Sequence, residues 1–475
     1  MSSVRARIQE FSRDRLMLVL AVYIICQPLL DILTAQGVKA GHPITAGVVV
    51  RALFMAAAFL YAVFISQFEG KRLPMIYTGL LVGYLALFML HMLTVGGISL
   101  CFANLAEVVK TFFAPFVLIF LYCIYKQYGF FITTQSIGAA GAIYCSVILV
   151  AYLTNSSNAS YVNSGNGYNG WFYAANEIGC IIALTAPFTV YHCIKMIPTL
   201  TKKTWWKGLV IAWCLICVAF SANFIGTKIV FAFNLVYALA GLVWMLFRLR
   251  KDRSVATLAQ TALLLVLAVL IMGFYQYSAL REYKENIYDP LDEVPSDQII
   301  GYWPGEIQEA SEDTWLLEFI TEHKAVQKLD SILSRRLTSA SPSVEVFLEG
   351  GIGAKLLGVG YANTSAYGRK IHFMIEMDPP AILIRHGIVG FALYCVPYFA
   401  FIFYAIIQFF KRPLIRLSSL SYCTLLYCTL AGFAIAMAAG HALVSPAVST
   451  FVLATGMLLW VRTQEQNMLP KGQRL

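Results

Sequence analysis

Apolar runs of about twenty residues recur along nearly the whole chain, and no other feature constrains it as strongly. A run of that length is what a helix needs to cross the hydrocarbon core of a bilayer. Composition agrees: of the 475 residues, 59% are hydrophobic and 13% charged, with a mean hydropathy of +0.70. A water-soluble fold of that length needs more polar surface to cover itself. The first run follows a basic stretch, Arg5 to Arg15, yet continues through Cys26 and Leu30 without a small-residue cleavage site after it. It outlasts a signal peptide and reads as a retained helix. About twelve spans are expected, near 16–34, 45–66, 75–95, 103–125, 132–153, 172–194, 207–221, 226–247, 256–278, 378–410, 418–438 and 445–462. The expected class is an all-α polytopic membrane protein with a large extracytoplasmic loop between helices 9 and 10.

Charge sets the orientation. With the amino terminus inside, the inner segments hold basic groups such as Arg13, Lys71, Arg72, Lys202, Lys203, Arg248, Arg250, Lys251, Lys411, Arg412 and Arg462. The short outer loops hold only Lys39. That bias predicts two cytoplasmic termini. It also accounts for the net charge of +10, so no nucleic acid partner is implied. The eleven cysteines lie singly or loosely spaced in or beside helices, with neither a disulfide framework nor zinc spacing, and read as small apolar filler.

Two outer segments interrupt the rhythm. Thr154 to Gly170 is uncharged, rich in Asn, Ser and Gly, and reads as a loop. Residues 279–377 are too long for a simple connection, and fifteen of the twenty-five acids lie there from Glu282 to Glu349. The chain thus divides into 1–278 with helices 1–9, a loop domain at 279–377 with amphipathic helices, and 378–475 with helices 10–12 and a tail. Trp315, Leu316, Phe319, Ile320, Val326, Leu329 and Leu333 recur at the spacing of one amphipathic helix. Ser341-Pro342 reads as a helix start and Gly350-Gly351 as its stop.

Ionisable residues within spans are costly, so their placement is informative. Asp31, Arg51, Glu107, Lys110, Glu177, Lys228 and Arg385 all fall within about two turns of the outer ends of their helices. Charges at one depth imply a polar cavity open to the outer leaflet. Asp31 with Arg51, and Glu107 with Lys110 at i,i+3, read first as structural pairs. Lys228 and Arg385 have no local partner in sequence and read as functional. With Arg335 and Arg336 reaching in from the long loop, cations outnumber anions, which suits a phosphate. An ion pathway would instead place charges near the midplane, so a transporter or flippase for an anionic lipid or lipid-linked glycan is the second reading.

Three local patterns resemble the O-antigen ligase and polymerase superfamily of bacterial membrane glycosyltransferases, in particular its Gram-positive relatives. Ile225-Gly226-Thr227-Lys228 opens a helix where the family usually has Ser-Arg. Arg335-Arg336 precede the glycine turn Leu357-Gly358-Val359-Gly360. Gly387-Ile388-Val389-Gly390 lies eleven residues after Glu376, which stands where the family has histidine, within Glu376-Met377-Asp378. The phrase from Asn169-Gly170-Trp171-Phe172 to Asn176-Glu177 is similar to the same relatives. The resemblance implies transfer of a glycan from a polyprenyl-pyrophosphate donor to a glycan, lipid or cell-wall acceptor at the outer face of the bacterial cytoplasmic membrane, with no metal or other cofactor. It implies Lys228 and Arg335 or Arg336, with Arg385 as a third cation, for the pyrophosphate. Glu376 becomes the candidate base, aided by Asp378, with His372 as the alternative. Glu177, Asn176 and Trp171 become candidates for binding sugar.

Overall fold

A computed structural model describes residues 2–42, 44–129, 132–161, 166–279, 281, 315–333, 336–361 and 375–468. Helices α1 (Ser2–Ile25) and α2 (Gln27–Lys39) are two limbs of one crossing, bent by 47° just ahead of Pro28. Proline lacks the N–H that would continue the ladder, so the bend falls there. α3 (Ala46–Leu60) ends in a π turn. α4 (Arg72–Thr111) and α5 (Phe113–Tyr128) follow as one unit of 57 residues. At 1.5 Å per residue that unit is about 85 Å long, more than twice a hydrocarbon core. Gly97, at φ 71° and ψ −168°, divides it into two crossings; only glycine adopts that backbone readily.

α6 (Thr134–Leu153), α7 (Ala175–Met196), α8 (Trp206–Phe224), α9 (Lys228–Lys251) and α10 (Val255–Phe274) complete the first nine crossings. α11 (Trp315–Glu322), α12 (Lys324–Ile332), α13 (Arg336–Glu349) and α14 (Ile352–Leu357) are short and precede the last three crossings. Those are α15 (Asp378–Lys411) and, after the short α16 (Pro413–Leu417), α17 (Leu420–Ala438) and α18 (Pro446–Met468). Counting the bent pair as one and the 57-residue unit as two gives twelve crossings among the described residues. α7 and α18 are the most enclosed, with 78% and 83% of their apolar stretches buried. The outer helices turn Leu18, Phe64, Leu80, Phe102, Val236 and Phe403 outward, as a lipid-facing surface requires.

Three local expectations change. The 154–170 segment contains a two-stranded hairpin, β1 (Ala159–Tyr161) against β2 (Asn166–Tyr168), with Ala159 opposite Tyr168. The amphipathic pattern from Trp315 is split at His323 into α11 and α12. α13 begins at Arg336, before Ser341-Pro342, because Asp330 caps it: Oδ1 accepts the amides of Leu337 at 2.8 Å and Thr338 at 3.3 Å. A cap supplied from the preceding helix leaves no signature at the helix start.

α15 is broken at Gly387 (φ 66°, ψ −176°). The break strands the carbonyls of Ile384 and Arg385, which accept the amides of Val359 and Gly360 at 3.0 Å each. A Cβ on Gly358 would collide with the Arg385 carbonyl, and one on Gly387 with that of Leu356. The two glycine patterns are therefore one device, in which the turn replaces the hydrogen bonds that the helix gives up.

Candidate functional site

The first turn of α7 gathers the site, with Glu177 inside it and Cys180 just below. On one side Gly179 admits the start of α9, since a Cβ there would stand 2.7 Å from Thr227 Oγ1. The exposed Lys228 is thereby held near the level of Glu177. On another side Cys180 Sγ meets the Gly440 carbonyl at 3.8 Å. Gly440, at φ 71°, is pressed so tightly on the Glu376 backbone carbonyl that any Cβ would overlap it. Glu376 Oε2 accepts from Arg336 Nε at 2.5 Å, and Arg336 Nη1 donates to the Ala438 carbonyl at 3.2 Å. Asp378, Glu177 and Arg336 all act electrostatically on Cys180, so groups from α7, α13 and α15 share one neighbourhood. Neither α7 nor α9 carries a side-chain cap from its own N-cap residue, and both direct the positive ends of their dipoles to this level.

Asp378 makes contacts that its sequence position does not reveal. It is fully buried, and its oxygens accept the amides of His441 at 2.7 Å, Ala442 at 2.8 Å and Leu443 at 2.7 Å. It clamps the loop between α17 and α18. That loop carries Gly440, whose packing fixes the backbone of Glu376.

Arg385 belongs to a second group. It lies seven residues beyond Asp378 on α15, about 10 Å along the helix. Its guanidinium sits 4.8 Å from the centre of the Tyr361 ring. The Tyr361 hydroxyl bonds His386 Nε2 at 2.7 Å and also meets Thr111, while its amide donates to Asn104 Oδ1 at 2.5 Å. Burial pushes the Tyr361 phenol up in spite of Arg385, so it stays a neutral hydroxyl. Glu107 and Lys110 pair at 2.5 Å in the same region.

Asp31 and Arg51 form a buried ion pair at 2.5 Å, with Gln27 accepting from Arg51 and Tyr144 donating to Asp31. Trp171 donates to Ser156 Oγ at 2.9 Å and roofs an apolar groove of about 260 Å³ along α6. Asn176 is partly buried beside Glu177. Arg335 and His372 lie outside the described residues. Among the described residues no group of three or more His, Cys, Asp or Glu has metal-binding geometry.

A family model described as an O-antigen ligase like membrane protein matches residues 13–466. The chain belongs to that family. Membership makes it a membrane protein of the glycosyltransferase type, a ligase or polymerase. No curated protein matches the chain. Within this O-antigen ligase-like fold, two histidines escaped the sequence reading. His386 is fully buried between Tyr84 and Tyr361. His441 is partly exposed on the clamped loop and holds a positive φ of 59°. The available signal for the second was a titratable residue after a glycine in a short loop on the same face as Glu376.

Proposed function

We propose that the chain moves a glycan from a polyprenyl-pyrophosphate donor to an acceptor hydroxyl at the outer face of the bacterial cytoplasmic membrane, without a metal. The observation that carries this reading is the convergence of Arg336, Glu376, Lys228 and Glu177 around the first turn of α7. When the glycosidic bond to the donor breaks, negative charge grows on the departing pyrophosphate. Fixed cations and the positive ends of the α7 and α9 dipoles, already in position, stabilise that charge without reorganising. Arg336 takes one phosphate through the donors left free by Glu376 and Ala438, and Lys228 takes the other. Glu376 orients Arg336, while Glu177 and Asn176 meet sugar hydroxyls. Arg335, Arg385, Trp171 and His372 are secondary candidates for donor or acceptor contact.

The break in α15 is the feature that favours the transport reading, because broken helices hold substrates in transporters. Here its carbonyls are already occupied by Val359 and Gly360. The deciding experiment gives purified protein a lipid-linked oligosaccharide in the presence of chelator. Release of polyprenyl pyrophosphate is expected, with a product ladder for a polymerase and one shift onto a different acceptor for a ligase. Vesicles that translocate the lipid while its glycan stays unaltered would establish transport instead.

A further inference from the structure

We infer that His441 is the general base that takes the proton from the acceptor hydroxyl, an assignment that rests on the transferase reading above. Three observations lead to it. Of the site's three carboxylates, Glu376 holds Arg336, Asp378 accepts three backbone amides, and Glu177 is the one assigned above to sugar hydroxyls. For Glu376 or Asp378 to accept a proton, it would have to give up part of the charge that holds those partners. His441 is partly exposed, and no side-chain hydrogen bond occupies its ring among the described residues. Its backbone is held in the left-handed region at φ 59°, which a non-glycine residue adopts at a cost and which clusters at functional sites. Asp378 maintains that geometry through the His441 amide. Gly440, the residue before, touches the Glu376 backbone, so the imidazole is one residue from the wall of the Arg336–Glu376 pair. Imidazole is the side chain whose ordinary titration range straddles neutrality.

In the step, an imidazole nitrogen accepts the acceptor's O–H proton as the acceptor oxygen bonds to the anomeric carbon. The bond from that carbon to the pyrophosphate oxygen breaks, and its electron pair stays on the pyrophosphate, beside Arg336 and Lys228. The imidazolium then returns its proton to the released pyrophosphate or to water.

The test uses purified full-length protein and release of polyprenyl pyrophosphate. Inactive wild-type protein would refute the transferase reading itself, separately from this assignment. With active wild type, His441→Asn keeps a residue that tolerates positive φ and is expected to lose about 10²-fold or more in turnover. His441→Gly, which also suits that backbone, should be inactive alone and regain turnover as free imidazole is added. The acid limb of the rescued pH profile should move when a more basic methylimidazole replaces imidazole. Asp378, which holds the His441 amide, and the other charged groups of the site, Arg336, Glu376, Lys228 and Glu177, are unchanged in that comparison. Turnover of His441→Asn within twofold of wild type overturns the assignment. So does a loss that imidazole does not restore, which would make His441 a residue that only shapes the loop.

Discussion

Arg336 and Glu376, forty residues apart in the chain, meet at 2.5 Å with 14% and 29% of their side chains exposed. One edge of the guanidinium is fixed by Glu376 and by the Ala438 carbonyl, and the remaining donors keep access to a ligand. A guanidinium held in this way has little freedom left to lose when a phosphate arrives. Arg336→Ala should therefore lose about 10²-fold or more in turnover. Arg336→Lys keeps the charge without the planar fork and should fall between the two. The exchanged pair, Arg336→Glu with Glu376→Arg, should recover the wild-type melting temperature in detergent yet remain inactive, because the cation would leave the pyrophosphate. Full activity in the exchanged pair would remove Arg336 from the binding of donor.

Lys228 makes a complementary case. It is exposed at the start of α9, whose approach depends on Gly179. Lys228→Ala should cost turnover on the order of 10²-fold while leaving the melting temperature unchanged, as an exposed electrostatic group would. Lys228→Arg should stay active. A large drop in melting temperature for the Ala variant would assign the residue to the fold instead.

The crossings were legible because a bilayer demands about twenty apolar residues per helix. The two breaks were not: Gly97 looks like any other glycine in an apolar run, and Gly387, though part of a recognised glycine pattern, falls inside the span expected at 378–410. What marks Gly387 is partner geometry: the Gly358 turn packs against it, from a distant part of the sequence. At the site, Glu376 and Arg336 were legible as charges on one side of the membrane, but their direct pairing was not. Asp378 shows the limit most clearly. Its neighbours in sequence suggest help for Glu376, whereas its actual partners are three amides from a loop more than sixty residues away.

That clamp makes its own prediction. Asp378→Asn replaces an acceptor oxygen with an N–H group that faces backbone N–H groups. An unmet buried polar group costs about 1–3 kcal/mol, and this variant strands at least one amide as well. The melting temperature in detergent should fall clearly, and turnover should fall with it as the 439–445 loop loosens. A normal melting temperature with abolished turnover would instead make Asp378 a direct participant in the chemistry.

Orientation can be tested with an impermeant thiol reagent on intact cells. Cys26, Cys101 and Cys423 are the partly exposed cysteines, so replacing them with Ser leaves a background of buried thiols. On that background Lys324→Cys, exposed on α12, should label from outside. Lys202→Cys, exposed between α7 and α8, should label only after lysis. The reverse pattern would put the Arg336 site in the cytoplasm and defeat the proposed use of an outer-leaflet donor.

The buried pair Asp31–Arg51 offers the sharpest separation of stability from chemistry. Both residues are enclosed, and Gln27 and Tyr144 complete their hydrogen bonds. Asp31→Asn leaves the Arg51 charge buried without its counter-ion, an arrangement that costs about 3–5 kcal/mol when one partner is removed. Its melting temperature should drop sharply. The double variant Asp31→Leu with Arg51→Leu removes both charges and should recover much of that loss, since a buried pair replaced by apolar side chains is often close to neutral. If the pair only holds α2 against α3, the double variant should also retain turnover, because the Arg336 and Lys228 groups are untouched. A stable but inactive double variant would bring Asp31 and Arg51 into the proposed reaction.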